Sequence, residues 1–93
     1  MLHRISELRV EPGYRLRVRF TDGVEGEVDV SGLIGWGVFA ALADESLFAA
    51  AYVDEFGAVG WPNGADLAPD AMHDSLKQHG FWRPRLGVAR QPA

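Results

Sequence analysis

Between Tyr14 and Val30 the chain alternates so strictly that few folds can accommodate it. Tyr14, Leu16, Val18 and Phe20 fall on one parity with Arg15, Arg17 and Arg19 between them. After Thr21-Asp22-Gly23, Val24, Val28 and Val30 resume the apolar parity, separated by Glu25, Glu27 and Asp29. A period of two with one apolar side describes a half-buried strand, so these are two strands of one hairpin. The loop length then follows from the faces, because directly opposed residues in an antiparallel pair point to the same side. A two-residue loop would set Phe20 against Glu25. A three-residue loop pairs Phe20 with Val24, Leu16 with Val28 and Tyr14 with Val30, and places Gly23 where a bulge needs a left-handed residue. The same register sets Arg19, Arg17 and Arg15 opposite Glu25, Glu27 and Asp29. The arginines are thereby read as neutralising their neighbours and not as a stripe for anions.

The remaining elements are arranged around this hairpin. Residues 4–10 suggest a preceding strand, turned by Glu11-Pro12-Gly13. Ser31 to Gly37 reads as a close-packed linker anchored by Trp36. It lacks the glycine spacing and lysine of a phosphate loop. Residues 38–43 and 46–51 have helical composition, with Asp44 as a cap between them and Phe39, Leu42, Leu47 and Phe48 on the buried side. Residues 51–54 and 58–61 form a second hairpin closed by Glu55-Phe56-Gly57. A constrained turn then runs through Trp61-Pro62-Asn63-Gly64, and residues 69–78 read as a helix with Met72 and Leu76 inward and Gly80 as its stop. The expected fold is α+β: a small, mainly antiparallel sheet of two hairpins plus an N-terminal strand, with short helices and one C-terminal helix. Residues 1–80 make the single domain and residues 81–93 a basic tail.

Charge is unevenly spread along the 93 residues. Residues 1–30 carry five arginines against six acids, residues 31–76 seven acids and no lysine or arginine, and residues 77–93 Lys77, Arg83, Arg85 and Arg90 without an acid. An acidic body opposes general nucleic-acid binding, which depends on basic groups neutralising phosphates, so only the tail is suited to it. The absence of cysteine removes disulfides, thiolate metal sites and cysteine nucleophiles. No run approaches a membrane span, and the start of the chain lacks a signal-peptide pattern. The expected setting is the cytoplasm, with no membrane contact.

Asp66, Asp70, His73 and Asp74 cluster near the last helix start, where Asp70 and His73 at i, i+3 offer two metal ligands. No third nitrogen or thiolate ligand accompanies them, and the helix dipole accounts for acids there. Asp66 is expected to satisfy backbone donors as a cap or turn former. No serine has a nucleophile-elbow setting. The sequence thus points to no catalytic residue, metal or cofactor. Trp61 is expected in the core. Phe81, Trp82, Arg83 and Arg85 are the candidate partner-binding residues, the tail docking on an acidic surface of the same molecule, a symmetry mate or another protein. Exposed sheet edges add the expectation of a homodimer.

The Phe20-Thr21-Asp22-Gly23 turn with its acidic continuation, the Phe39–Leu42 segment, Phe48 and above all Trp61, Pro62, Asn63, Gly64, Asp66, Pro69 and Asp70 resemble the bacterial family called domain of unknown function 2442. The resemblance spans residues 3–76. It implies a small α+β domain, sometimes joined in relatives to a helix-turn-helix DNA-binding domain, and frequent genomic company with another small family in suspected toxin–antitoxin arrangements. This chain is too short to hold the DNA-binding half. Three functions follow: an antitoxin-like binding module for a small neighbouring protein, a transcription-linked accessory domain touching DNA through its tail, and a small metal-dependent enzyme using Asp66, Asp70 and His73.

Overall fold

A computed structural model of the chain describes residues 3–85. Strands β1 (Ile5–Glu11), β2 (Arg15–Phe20) and β3 (Glu25–Asp29) form an antiparallel meander. The chain continues through a 3-10 helix (Gly37–Ala43), helix α1 (Glu45–Phe48), strands β4 (Tyr52–Val53) and β5 (Val59–Gly60), helix α2 (Pro69–His79) and strand β6 (Phe81–Trp82). The expected α+β class is therefore the observed one. The two hairpins do not merge into one sheet: β1-β2-β3-β6 form a four-stranded sheet and β4-β5 a separate two-stranded one.

The β2–β3 register is the one demanded by the alternation, with Leu16 opposite Val28, Arg17 opposite Glu27 and Arg19 opposite Glu25. The Phe20 amide donates to the Val24 carbonyl at 2.7 Å and Gly23, at φ 92°, donates back to Phe20 at 2.9 Å. The Asp54–Ala58 turn repeats these bonds with Gly57 at φ 81°. So does Trp61–Ala65, where Gly64 sits at φ 94°. One three-residue loop thus recurs three times, and the Trp61-Pro62-Asn63-Gly64 stretch is its third instance. It turns the chain from β5 back to Ala65–Leu67, where the Leu67 amide donates to Val59 at 3.0 Å.

Leu16, Val18, Phe20, Val28, Leu42, Val59, Trp61 and Met72 are almost fully enclosed. Trp61 is held twice: its ring packs against Phe48 and Phe39, and its indole N–H donates to the Phe48 carbonyl at 2.9 Å. An enclosed indole needs such a partner. Trp36 does not anchor its segment as expected, being 60% exposed. Leu33 and Phe39 are the side chains that enter the core there, because the turns of the glycine-rich stretch leave Trp36 on the outer side.

Asp44 caps α1 as expected, accepting from the Ser46 amide at 3.0 Å and hydroxyl at 2.7 Å, and these bonds hold its carboxyl below the usual carboxylate range. Asp66, by contrast, caps nothing. Ala68 is the N-cap of α2, without a side-chain bond, and Asp66 lies exposed in a bridge to Gly60. Asn63 does the turn bonding instead, accepting from Ala65 at 3.2 Å and donating to the Val38 carbonyl at 2.9 Å. Pro69 at the first turn gives α2 its start without a cap.

After Gly80, at φ 71°, the chain re-enters the sheet, with Phe81 opposite Glu27 and Trp82 opposite Val28 in a parallel pair. The approach requires Gly26. A methyl group there would lie 2.4 Å from the Gly80 carbonyl oxygen and 2.9 Å from Leu76 Cδ2.

Gly26→Ala is predicted to cost about 1–3 kcal/mol by overpacking, lowering Tm by about 4–8 °C per kcal/mol in a domain of this size. Trp61→Phe, which removes the buried indole N–H bond to the Phe48 carbonyl and leaves a void where the larger ring packed, should cost about 1–3 kcal/mol. Thermal unfolding followed by circular dichroism measures both, and an unchanged Tm in either variant contradicts the packing described for it.

Candidate functional site

The four-stranded sheet has one face on the core and one open. Alternation puts Glu7, Arg9 and Glu11 of β1, Arg15, Arg17 and Arg19 of β2, and Glu25, Glu27 and Asp29 of β3 on the open side. Phe81 joins them through its pairing with Glu27 and is 44% exposed, while Trp82 turns inward against the core. Of the expected one-to-one arginine–acid pairs, Arg17 with Glu27 forms among the described residues, and the others are redistributed. Glu27 takes both Arg15 (3.5 Å) and Arg17 (3.9 Å), and Asp29 is held by Arg83 at 3.4 Å. The β1 strand adds competing charges, setting Glu7 beside Arg19 and Glu11 beside Arg15 but Arg9 beside Arg17. Partial burial pushes the Asp29 carboxyl up, but bonds from Ser31 and the charges of Arg83 and Arg15 outweigh it and leave it below the usual range.

The tail residues therefore separate. Trp82 is a packing residue, Arg83 binds an acid of the same molecule, and Phe81 and Arg85 are exposed. The acid that Arg83 meets, Asp29, belongs to the first 30 residues and not to the acidic segment 31–76. Leu86 and Arg90 lie outside the described residues. The β6 edge is short, and the Phe81 carbonyl accepts from the Ser75 hydroxyl at 2.8 Å, which occupies part of that edge.

The segment without cations has a different surface. Asp44, Glu45, Glu55, Asp66, Asp70 and Asp74 are exposed along it. Four of the five exposed large hydrophobic side chains also belong to it: Trp36, Val38, Tyr52 and Phe56. Asn63 links the Trp61 turn to Val38, and the Tyr52 ring lies over Gly60. Of the family-motif residues, Trp61 is buried and Pro69 half-buried, while Pro62, Asn63, Gly64, Asp66 and Asp70 are exposed.

The i, i+3 spacing offers His73 as a metal ligand beside Asp70. The structure takes it elsewhere. Its position between Met72 and Leu76 puts it on the buried arc of α2, 5% exposed, with Nε2 2.7 Å from Asp22 Oδ2 in the β2–β3 turn. His3 stacks on its ring at 3.6 Å between centroids, and Phe20 meets it edge-on at 4.9 Å. The hydrogen bond to His73, followed by that from the Val24 amide, holds the Asp22 carboxyl below the usual range. Among the described residues, His3, Asp22 and His73 are the one group of three whose donor atoms converge, all within 4.8 Å. Asp66, Asp70 and Asp74 do not join it. Sequence reasoning missed this group because its members are drawn from the N-terminal arm, a turn and a helix; the one available signal was a histidine flanked by core positions on α2.

No helix among the described residues is long and apolar enough to cross a membrane. No curated protein and no solved structure matches the chain. A family model described as protein of unknown function (DUF2442) matches residues 5–78, which takes in every element from β1 nearly to the end of α2. The chain therefore belongs to the DUF2442 family.

Proposed function

We propose that this protein is a non-enzymatic binding module whose acidic, aromatic-bearing surface receives a basic protein, in the manner of an antitoxin receiving its partner. The observation that carries the reading is the coincidence, in residues 31–76, of seven acids, no lysine or arginine, and exposed Trp36, Tyr52 and Phe56. Interfaces favour exposed aromatic anchors at their centre, with charges setting approach and register. A partner rich in lysine and arginine satisfies both features. The open sheet face is less suited to this, because its four arginines, with Arg83 beside them, and its five acids already compensate one another. The commitment of Arg83 to Asp29 likewise reduces what the described tail offers to DNA.

Co-expression with a small basic protein encoded beside it is the decisive experiment. The two should co-purify at low salt, with affinity falling as ionic strength rises past the point where exposed charges are screened. Trp36→Ala and Tyr52→Ala should each weaken the complex by at least about tenfold while the variants stay folded, Trp36→Ala with the smaller change in Tm because its side chain is the more exposed. Repeated failure to co-purify, or a complex indifferent to both substitutions, overturns the reading.

A further inference from the structure

We propose that His3, Asp22 and His73 form a binding site for a divalent transition-metal ion of the zinc type, which ties the N-terminal arm to the β2–β3 turn and to α2. Two imidazoles and a carboxylate are a donor set that zinc accepts with a fourth position left for water, whereas magnesium and calcium require mainly oxygen donors. The donor atoms lie within 4.8 Å of one another. Two of the three ligands are already oriented. The Val24 amide donates to Asp22 Oδ1 at 3.1 Å, which leaves Oδ2 directed at His73, and His73 is fixed by its burial on α2. Outer hydrogen bonds of this kind are what set the direction of metal-ligating side chains.

The third ligand is the moving part. The His3 and His73 rings are nearly parallel, 6° apart, so their in-plane lone pairs lie in separate planes and cannot both address one ion. Coordination requires the His3 ring to turn out of the stack. His3 precedes β1 and is half-buried, so this rotation displaces no strand. The ion replaces the bond between His73 Nε2 and Asp22 Oδ2, and both atoms become ligands. Loading consequently converts a stacked histidine pair into a clasp between two ends of the fold.

The test is calorimetric titration of the full chain, free of any histidine tag, with zinc chloride near pH 7.5, alongside nuclear magnetic resonance of the histidine rings. One ion per chain is expected, with the His3 and His73 ring signals shifting together and those of His79 unchanged. His3→Ala and Asp22→Asn should each lower zinc affinity by at least about tenfold. Both should fold, because His3 lies ahead of the sheet and an asparagine at position 22 keeps an oxygen for the Val24 amide. His73→Ala removes a core side chain and is not used. Absence of zinc binding overturns the proposal, as does binding unaffected by both substitutions or matched in strength by magnesium.

Discussion

The absence of a side chain at Gly26 governs how the two halves of this molecule meet. Because nothing projects from the middle of β3, the C-terminal end of α2 comes down until the Gly80 carbonyl accepts from the Glu27 amide at 3.2 Å. That contact seats Leu76 in the core beside Met72 and aims the chain along β3. It also fixes α2 along its length, and one turn before Leu76 the same helix face brings His73 over the β2–β3 turn. The helix position, the added strand and the histidine cluster all depend on one close backbone approach. Any β-carbon at this position would push all three apart.

A second economy lies in the turns. The same loop closes three hairpins, and in two of them the middle residue, Asp22 or Asn63, accepts from the amide two positions on. These side chains do what isolated backbone cannot, holding the amide that follows the left-handed glycine. In each case the remaining polar atom is then free for something else. Asn63 uses it on the Val38 carbonyl and so ties the turn to the 3-10 helix. Asp22 uses it on His73.

Much of this was readable from the chain. The hairpin register, the loop length, the Asp44 cap, the helix stop at Gly80 and the burial of Trp61 are local consequences of parity, turn chemistry and apolar spacing, and they hold. What could not be read is non-local. The Arg15, Arg17 and Arg19 pairings were set from one neighbouring strand, but β1 and Arg83 compete for the same partners. Trp36 looked like an anchor by residue type, yet the path of the glycine-rich stretch points it outward. Phe81 and Trp82 have no periodicity because two residues are too few to show one, and only the proximity of β3 makes them a strand. For the histidine cluster, sequence separation hid everything, since Asp22 and His73 are 51 residues apart.

The parallel docking of β6 also has a meaning for the order in which contacts form. The β1-β2-β3 meander consists of pairings between sequence neighbours, which close short loops and suit an early, locally built nucleus. The pairing of Glu27 with Phe81 spans most of the domain and can form only after α2 is in place. Strand β6 should therefore be a late arrival and an early departure: a φ-value near zero at Trp82, against higher values at Val18 and Val28, is the measurable form of that statement. Weakening the Trp82 contact would then quicken unfolding while leaving the folding rate almost untouched. The C-terminal strand acts as a brake on opening, placed where it need not guide assembly.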